Sequence, residues 1–492
     1  MIDLAAIFAL LSALSILTFF AGRHSSAFAM ISSAVVMVAT AFYVAITMES
    51  YTGGMIGRYS IVLNSAQGIS FSIGISGFTA PLLLAASIVF PLALFLSRGG
   101  EYGGTFYGLM MISETGLYGV LISRDFMFFY IFWEVVLVPV FFLITLYGGV
   151  RRQSVSLKFF VYTHIGSAFI LLSIFSLYAY YFAIYGTFSM QISSLTDPAF
   201  VSKIPYFWQI FVIAGLMIGF LVKLPTFPIH SWLPDTYDTA PYPVTVIIAG
   251  GLSLMGGYGL FGIMLRMGTL FPLVSLWFII MLSLISLVYF SLTAMYQYRI
   301  KRMMAYASAG SMGFVTLAFA SGIMEKTGTD YVLAISGGMF QIFAHSLIIA
   351  LLFASIFYIR KVSGNDSIFG LGGIYREAPL LSSITLGGLL ASLGLPGLAG
   401  FVGEFSILGG TFQTIGYLIF VVIFSMIITA SYHIWFAQRS LYGPYNEGLG
   451  RIRDLSRSEF IVLGSLLFFL LFIGVFPSLF FNLFSSYVGG LL

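Results

Sequence analysis

Fourteen stretches of roughly twenty residues almost free of charge dominate this chain, near 2–21, 28–48, 79–97, 105–123, 125–148, 157–185, 207–230, 243–265, 271–296, 303–322, 330–359, 378–409, 413–438 and 459–485. A helix needs about that length to cross the hydrocarbon core of a bilayer. The 21 Lys and Arg with 17 Asp and Glu make up only 8% of 492 residues, against roughly a quarter in a soluble domain, so they cannot cover a water-facing surface. The expected fold is therefore an all-α polytopic membrane protein with about fourteen spans. An outer-membrane barrel is excluded, because its short strands alternate with a period of two and these runs do not. A net charge of +4 with no basic tail gives no nucleic-acid signature. The absence of Cys removes disulfides, thiolate metal sites, iron–sulfur clusters and covalent haem, so electron transfer would belong to a partner.

The basic residues orient the spans. Fifteen of the 21 Lys and Arg fall in odd-numbered loops, five in even-numbered loops (Arg58, Arg124, Lys203, Arg266, Lys326), and Lys223 lies inside a span. The positive-inside rule then places odd loops in the cytoplasm and both termini outside a plasma membrane. The first run starts at Met1 without a basic leader or a small-residue cleavage pattern and is read as a retained helix. Residues 49–78 are too polar to cross and partly alternate, as a short external hairpin would.

Two spans should be broken. Lys223-Leu224-Pro225-Thr226-Phe227-Pro228 puts two prolines in mid-membrane sequence, and Gly394-Leu395-Pro396-Gly397-Leu398-Ala399-Gly400 combines a proline with three glycines. Each is the fourth helix of a five-helix group, and five being odd, equivalent helices in the two groups run in opposite directions. This is the inverted-repeat plan of many transporters, where broken helices line ion sites. The organisation expected is an N-terminal three-helix segment with its hairpin (1–104), a first half-repeat (105–266), a second half-repeat (267–438), and a cytoplasmic loop with a last helix (439–492).

Ionisable residues inside a membrane cost roughly 2.5–3.5 kcal/mol each on insertion scales, so they are functional candidates. Here they are Glu114, Glu134, Lys223 at the first break and Glu404 after the second, with His164, His230, His345 and His433 as titratable relays. A Glu and a Lys 4 Å apart on neighbouring helices stabilise each other's charges by about 4 kcal/mol at an effective dielectric of 20, and separating them lets either lose its charge. Glu134 with Lys223 is expected to be such a switch, the alternative being a structural salt bridge. Glu114 is either functional or a hydrogen-bond acceptor between helices, and His164 and His433 read as structural or interfacial. Gln341 and His345, spaced i and i+4, share one helix face and form a wire segment or an interhelical hydrogen bond. Asp235 and Asp238, where the seventh span emerges, cap the eighth helix or gather protons at a channel mouth. Nucleotide-binding loops and nucleophile–base motifs are missing.

Taken together, Asp125–Pro139, Lys223–Asp235, Ile300–Ser308, Gly394–Phe405 and Lys158–Thr163 resemble the antiporter-like membrane subunits of respiratory complex I over nearly the whole chain. Glu404, where related chains carry lysine, and the short C-terminal tail point to the M-chain type. The resemblance implies a coupled pair at Glu134 and Lys223 with Glu404 as terminal proton carrier. It implies a non-redox, proton-pumping subunit of an NADH-, F420H2- or ferredoxin-linked quinone oxidoreductase. Quinone and iron–sulfur clusters would reside in partner subunits, and L-, N- and K-type chains would be its neighbours. A secondary Na+/H+ antiporter subunit and a structural subunit with a degenerate proton path are the alternatives. The chain departs from the family pattern at Leu254, where a lysine is usual, at Ser311 and Tyr237, where histidines are usual, and at Arg299 and Ser76, where aspartates are usual.

Overall fold

The computed structural model describes residues 3–49, 51 and 53–491. The chain opens with α1 (Leu4–Phe20) and α2 (Ser25–Glu49), followed by the antiparallel strands β1 (Ile56–Asn64) and β2 (Ile69–Ile75). Next come α3 (Thr79–Leu96), α4 (Gly104–Ile122), α5 (Phe126–Tyr147), the 34-residue α6 (Arg152–Tyr185) and α7 (Tyr206–Lys223). After a break, α8 (Trp232–Thr239) leads into α9 (Tyr242–Leu270). The remainder is α10 (Leu273–Met295), α11 (Ile300–Glu325), the 35-residue α12 (Thr329–Ser363), α13 (Pro379–Ser392), α14 (Ala399–Ile415), α15 (Ile419–Phe436), α16 (Arg457–Val475) and α17 (Ser478–Gly489).

Helices prevail because hydrocarbon offers the backbone no partner, so every amide and carbonyl must be satisfied within the segment. The described residues contain twelve helical segments long and apolar enough to cross a membrane, against the fourteen expected. The difference lies in α1 and α13, which are apolar but short, and in the run Ala399–Leu441, where α14 and α15 follow each other directly. Gly416, with φ near +51°, interrupts that run.

The expected hairpin is present, with Ser60 opposite Ser72 and Ile61 opposite Phe71. It is clamped to the helix bundle: the Arg124 amide donates to the Ser72 carbonyl (2.8 Å), and the Ser70 amide donates to the Asp125 carboxylate (3.2 Å).

The apolar stretch of α9 is fully buried, and those of α11 and α12 are nearly so. α6 instead exposes Val161, Ile165, Leu172 and Phe175 along one stripe, an apolar face suited to lipid. The interior helix α9 is also the irregular one. Wider π-type turns at Ile248–Leu252 and Tyr258–Ile263 flank a short α segment, Ser253–Gly257. Gly250, Gly251, Gly256, Gly257, Gly259 and Gly262 leave little side chain to hold a regular pitch there.

Candidate functional site

The first break spans residues 224–231, and its prolines explain it, since neither can donate the helical hydrogen bond. The freed groups find partners nearby. Trp232 Nε1 donates to the Val222 carbonyl (3.1 Å), and the Phe227 amide donates to Ser286 Oγ on α10 (3.0 Å). Lys223, the last residue of α7, is 2% exposed, and its Nζ has no hydrogen-bond partner among the described residues. The ammonium faces aromatic rings, 5.6 Å from the centroid of Trp133 and 5.9 Å from that of Phe159, which solvate a cation only weakly.

Glu134 does not contact Lys223. Its Oε2 lies 3.5 Å from His164 Nδ1 on α6, and its Oε1 is buried without a partner among the described residues. The reason is rotational: Trp133 takes the face of α5 turned to Lys223, and the next residue of a helix points about 100° away. The direct pair expected from sequence is thus replaced by Glu134 with His164, whose side chain is 52% exposed. The sequence reads His164 as structural or interfacial, since no spacing rule ties positions on two different helices.

His230 lies in the same break but turns to α10, with its ring 4.7 Å from that of Phe290 and 5.3 Å from that of Tyr289. Its Nδ1 is buried without a partner.

The second break, residues 393–398, has a different construction. Gly394 (φ +74°) and Gly397 (φ +90°) occupy the left-handed region that a side chain disfavours. Glu404, in the second turn of α14, is 5% exposed and receives no hydrogen bond or ion pair from any described residue. A Cβ added at Gly394 would lie 2.3 Å from Glu404 Oε2, so the carboxylate rests on bare backbone. A Cβ at Gly403 would lie equally close, 2.3 Å, to Gln341 Oε1. Four residues along α12, His345 Nε2 meets Ser308 Oγ of α11 at 3.1 Å. Ser308 and His345 therefore join α11 to α12, and Gln341 of α12 packs against Gly403 of α14, the residue before Glu404.

Glu114 lies elsewhere: its Oε1 accepts from Ser33 Oγ of α2 (2.9 Å), and its Oε2 is buried without a partner among the described residues. Between the two breaks, Leu254 fills its position on α9 completely buried. The Ser253 hydroxyl beside it is spent on the Ala249 carbonyl (3.0 Å), and Ser311 Oγ turns to the Ala307 carbonyl (3.3 Å).

At one end of the bundle, Asp235 and Asp238 form ion pairs, so neither stands free at a channel mouth. Asp235 meets Lys158 (2.8 Å) and Arg302 (2.9 Å), while Asp238 meets Arg299 (2.7 Å). Arg299 also holds Asp366 (3.0 Å), which pairs with Arg360 (2.8 Å). Burial pushes the Asp366 carboxyl up, but the hydrogen bond and charge of Arg299 together with Arg360 outweigh it and hold the group below its ordinary range. Lys301, read from sequence as a loop cation, is buried: its Nζ donates to the Ala240 carbonyl (2.6 Å) and sits 4.3 Å from the Tyr242 ring centroid. The C-terminal end of α8 is thereby tied to α11.

A membrane-spanning helix bundle in which two broken helices each carry one buried charge, unpartnered among the described residues, has the architecture of an ion-translocating protein. Residues 123–429 match the family model for the membrane domain of NADH:quinone oxidoreductases and Mrp antiporters, and the chain belongs to that family. It is similar to the F420H2 dehydrogenase subunit M of Methanosarcina mazei, at 36% identity over 89% of this chain and 87% of that one. NADH-quinone oxidoreductase subunit M of Rickettsia conorii is 31% identical over 94% of this chain and 91% of its own length. In fold, the chain matches a subunit of respiratory complex I from Thermus thermophilus, with a TM-score of 0.85 at 23% identity over 99% of this chain and 100% of that one.

Proposed function

We propose that this chain is the proton-translocating, non-redox membrane subunit of a complex I-like quinone oxidoreductase, seated in the plasma membrane beside L-, N- and K-type chains. The observation that carries the reading is a pair of buried groups of opposite charge, each at a helix break: Lys223, whose Nζ has no hydrogen-bond partner among the described residues, and Glu404, which receives no hydrogen bond or ion pair from any described residue. An ammonium and a carboxylate in dry surroundings are both more stable neutral, so a proton passed from one to the other relieves both. Residues 105–266 and 267–438 act as two half-repeats in this scheme, one supplying the donor and the other the acceptor.

Redox energy released in partner subunits, where quinone and iron–sulfur clusters would reside, acts on Glu134. Protonating Glu134, with His164 as its contact, removes a negative charge near Lys223 and loosens the lysine's hold on its proton. The proton then passes the apolar stretch at Leu254 by water, reaches His345 and Gln341, and arrives at Glu404 for release. Leu254 and Ser253 offer no titratable group, so water must carry this middle step. The relatives named as F420H2 and NADH dehydrogenases support either electron donor.

The test is to solubilise native membranes gently, isolate this chain and identify its companions by mass spectrometry. Iron–sulfur and quinone-site subunits are expected. Recovery of small hydrophobic antiporter subunits alone, with sodium-dependent proton exchange, would overturn the reading in favour of a secondary antiporter.

A further inference from the structure

Five basic residues lie in the even-numbered loops, the side on which the positive-inside rule makes them sparse. Three of these five, Arg58 of β1, Arg124 between α4 and α5, and Arg266 at the end of α9, line a single cavity of about 250 Å³ beneath the hairpin. They come from distant parts of the chain, so the fold gathers them. Arg58 and Arg124 flank Gly74 of β2, where an added Cβ would lie 3.7 Å from Arg58 Cγ and 3.8 Å from Arg124 Nε.

No carboxylate lines this cavity. Asp125 is next to Arg124 in sequence, but its oxygens accept from the amides of Ser70 (3.2 Å) and Met127 (2.9 Å). None of the three arginines has an ion pair among the described residues. Arg124 is fixed by neutral acceptors, donating to the Gly74 carbonyl through Nε (3.0 Å) and Nη2 (2.6 Å) and to the Tyr258 hydroxyl through Nη1 (3.0 Å). Arg58 and Arg266 donate to no described residue, so their guanidinium forks remain available. The rest of the polar lining, Ser60, Ser72, Gln191 and Ser193, consists of neutral groups suited to oxygen-rich ligands. Three like charges sharing one cavity repel one another until an anion joins them.

We propose that this cavity binds a phosphate-bearing anion, with Arg58 and Arg266 gripping the phosphate oxygens and Arg124 supplying a third, already positioned charge. A tetrahedral phosphate matches the guanidinium fork through paired, charge-assisted hydrogen bonds. The phosphate belongs either to an anionic lipid headgroup or to a free phosphate. This inference is independent of the proton path, since no residue of that path lines the cavity.

The experiment uses the purified native assembly containing the full chain, depleted of lipid and compared with the Arg58→Gln/Arg266→Gln double variant. Neither arginine makes a hydrogen bond or ion pair with a described residue, and the same native mass spectra report whether the variant assembles. Phosphatidylglycerol and phosphatidylcholine are titrated in parallel, and radiolabelled inorganic phosphate is titrated separately. Selective retention of phosphatidylglycerol by the wild type, weakened about tenfold or more in the variant, supports the site and assigns it to lipid. Retention of inorganic phosphate with the same loss in the variant supports it and assigns it to free phosphate. If the assembled variant binds both probes as tightly as the wild type, or the wild type binds neither, the proposal is overturned.

Discussion

The two helix breaks use different means to keep a charge buried. At the first, eight residues containing two prolines separate α7 from α8, and Lys223 faces the rings of Trp133 and Phe159. At the second, six residues with two left-handed glycines separate α13 from α14, and Glu404 rests against bare backbone at Gly394. Aromatic faces tolerate a cation, because their quadrupole presents negative charge to it. An anion would be repelled by the same faces, and a glycine turn instead lets the carboxylate approach the main chain closely. Each break is therefore built for the sign of charge it holds. Among the described residues, neither break gives that charge a fixed counter-ion, as a proton carrier requires.

Glu404→Gln should have the largest effect, since it removes the buried carboxylate at the second break while keeping its shape. Proton translocation in proteoliposomes should fall on the order of a hundredfold, a typical loss for a positioned proton-transfer group. Glu134→Gln should come next, with translocation lost while electron transfer by the uncoupled complex continues. Full translocation in that variant would show that the Glu134 and His164 contact has no part in driving Lys223.

A pair of glycine substitutions separates the shape of the second break from its chemistry. Gly394→Ala and Gly397→Ala both place a side chain at positive φ, with an expected cost of about 1–3 kcal/mol each in thermal unfolding. Only the first also pushes against Glu404, because nothing lies within 4 Å of a Cβ at Gly397. Translocation should therefore fall further in Gly394→Ala at matched stability, and equal losses would contradict the close seat proposed for the carboxylate.

The smallest effect is expected in the loop that follows α12. Asp366→Asn should destabilise by no more than about 1 kcal/mol near neutral pH, since the group is partly exposed and its ion pairs are screened. The depressed carboxyl contributes stability above its unfolded value near 4 and loses it as pH falls through the lower folded value. The difference in melting temperature between wild type and variant should shrink on acidification below about pH 4.

Both breaks are legible in the sequence, because proline and glycine act locally on the backbone. The buried charges are legible too, because a lysine or glutamate inside an apolar run stands out whatever it touches. Contacts between helices are less accessible. Glu134 meets His164 and not Lys223 because of the rotation of α5, which the residue list does not specify. Lys301 and Arg299 read as loop cations, yet one is buried against the end of α8 and the other joins Asp238 to Asp366. In that second role Arg299 takes its carboxylate partners from Asp238 and Asp366. The wide turns of α9 were likewise hidden, since glycine permits several pitches and surrounding helices select among them.

The proposed transfer from Lys223 to Glu404 is tested most directly by the ratio of protons moved to electrons transferred in the purified complex carrying Lys223→Met. Methionine fills the buried site without a titratable group. A steep fall in the ratio, with electron transfer preserved under uncoupling and the complex intact, is the result expected. An unchanged ratio would mean that protons bypass the first break, and the roles assigned to Lys223, Glu134 and the half-repeat around them would have to be withdrawn.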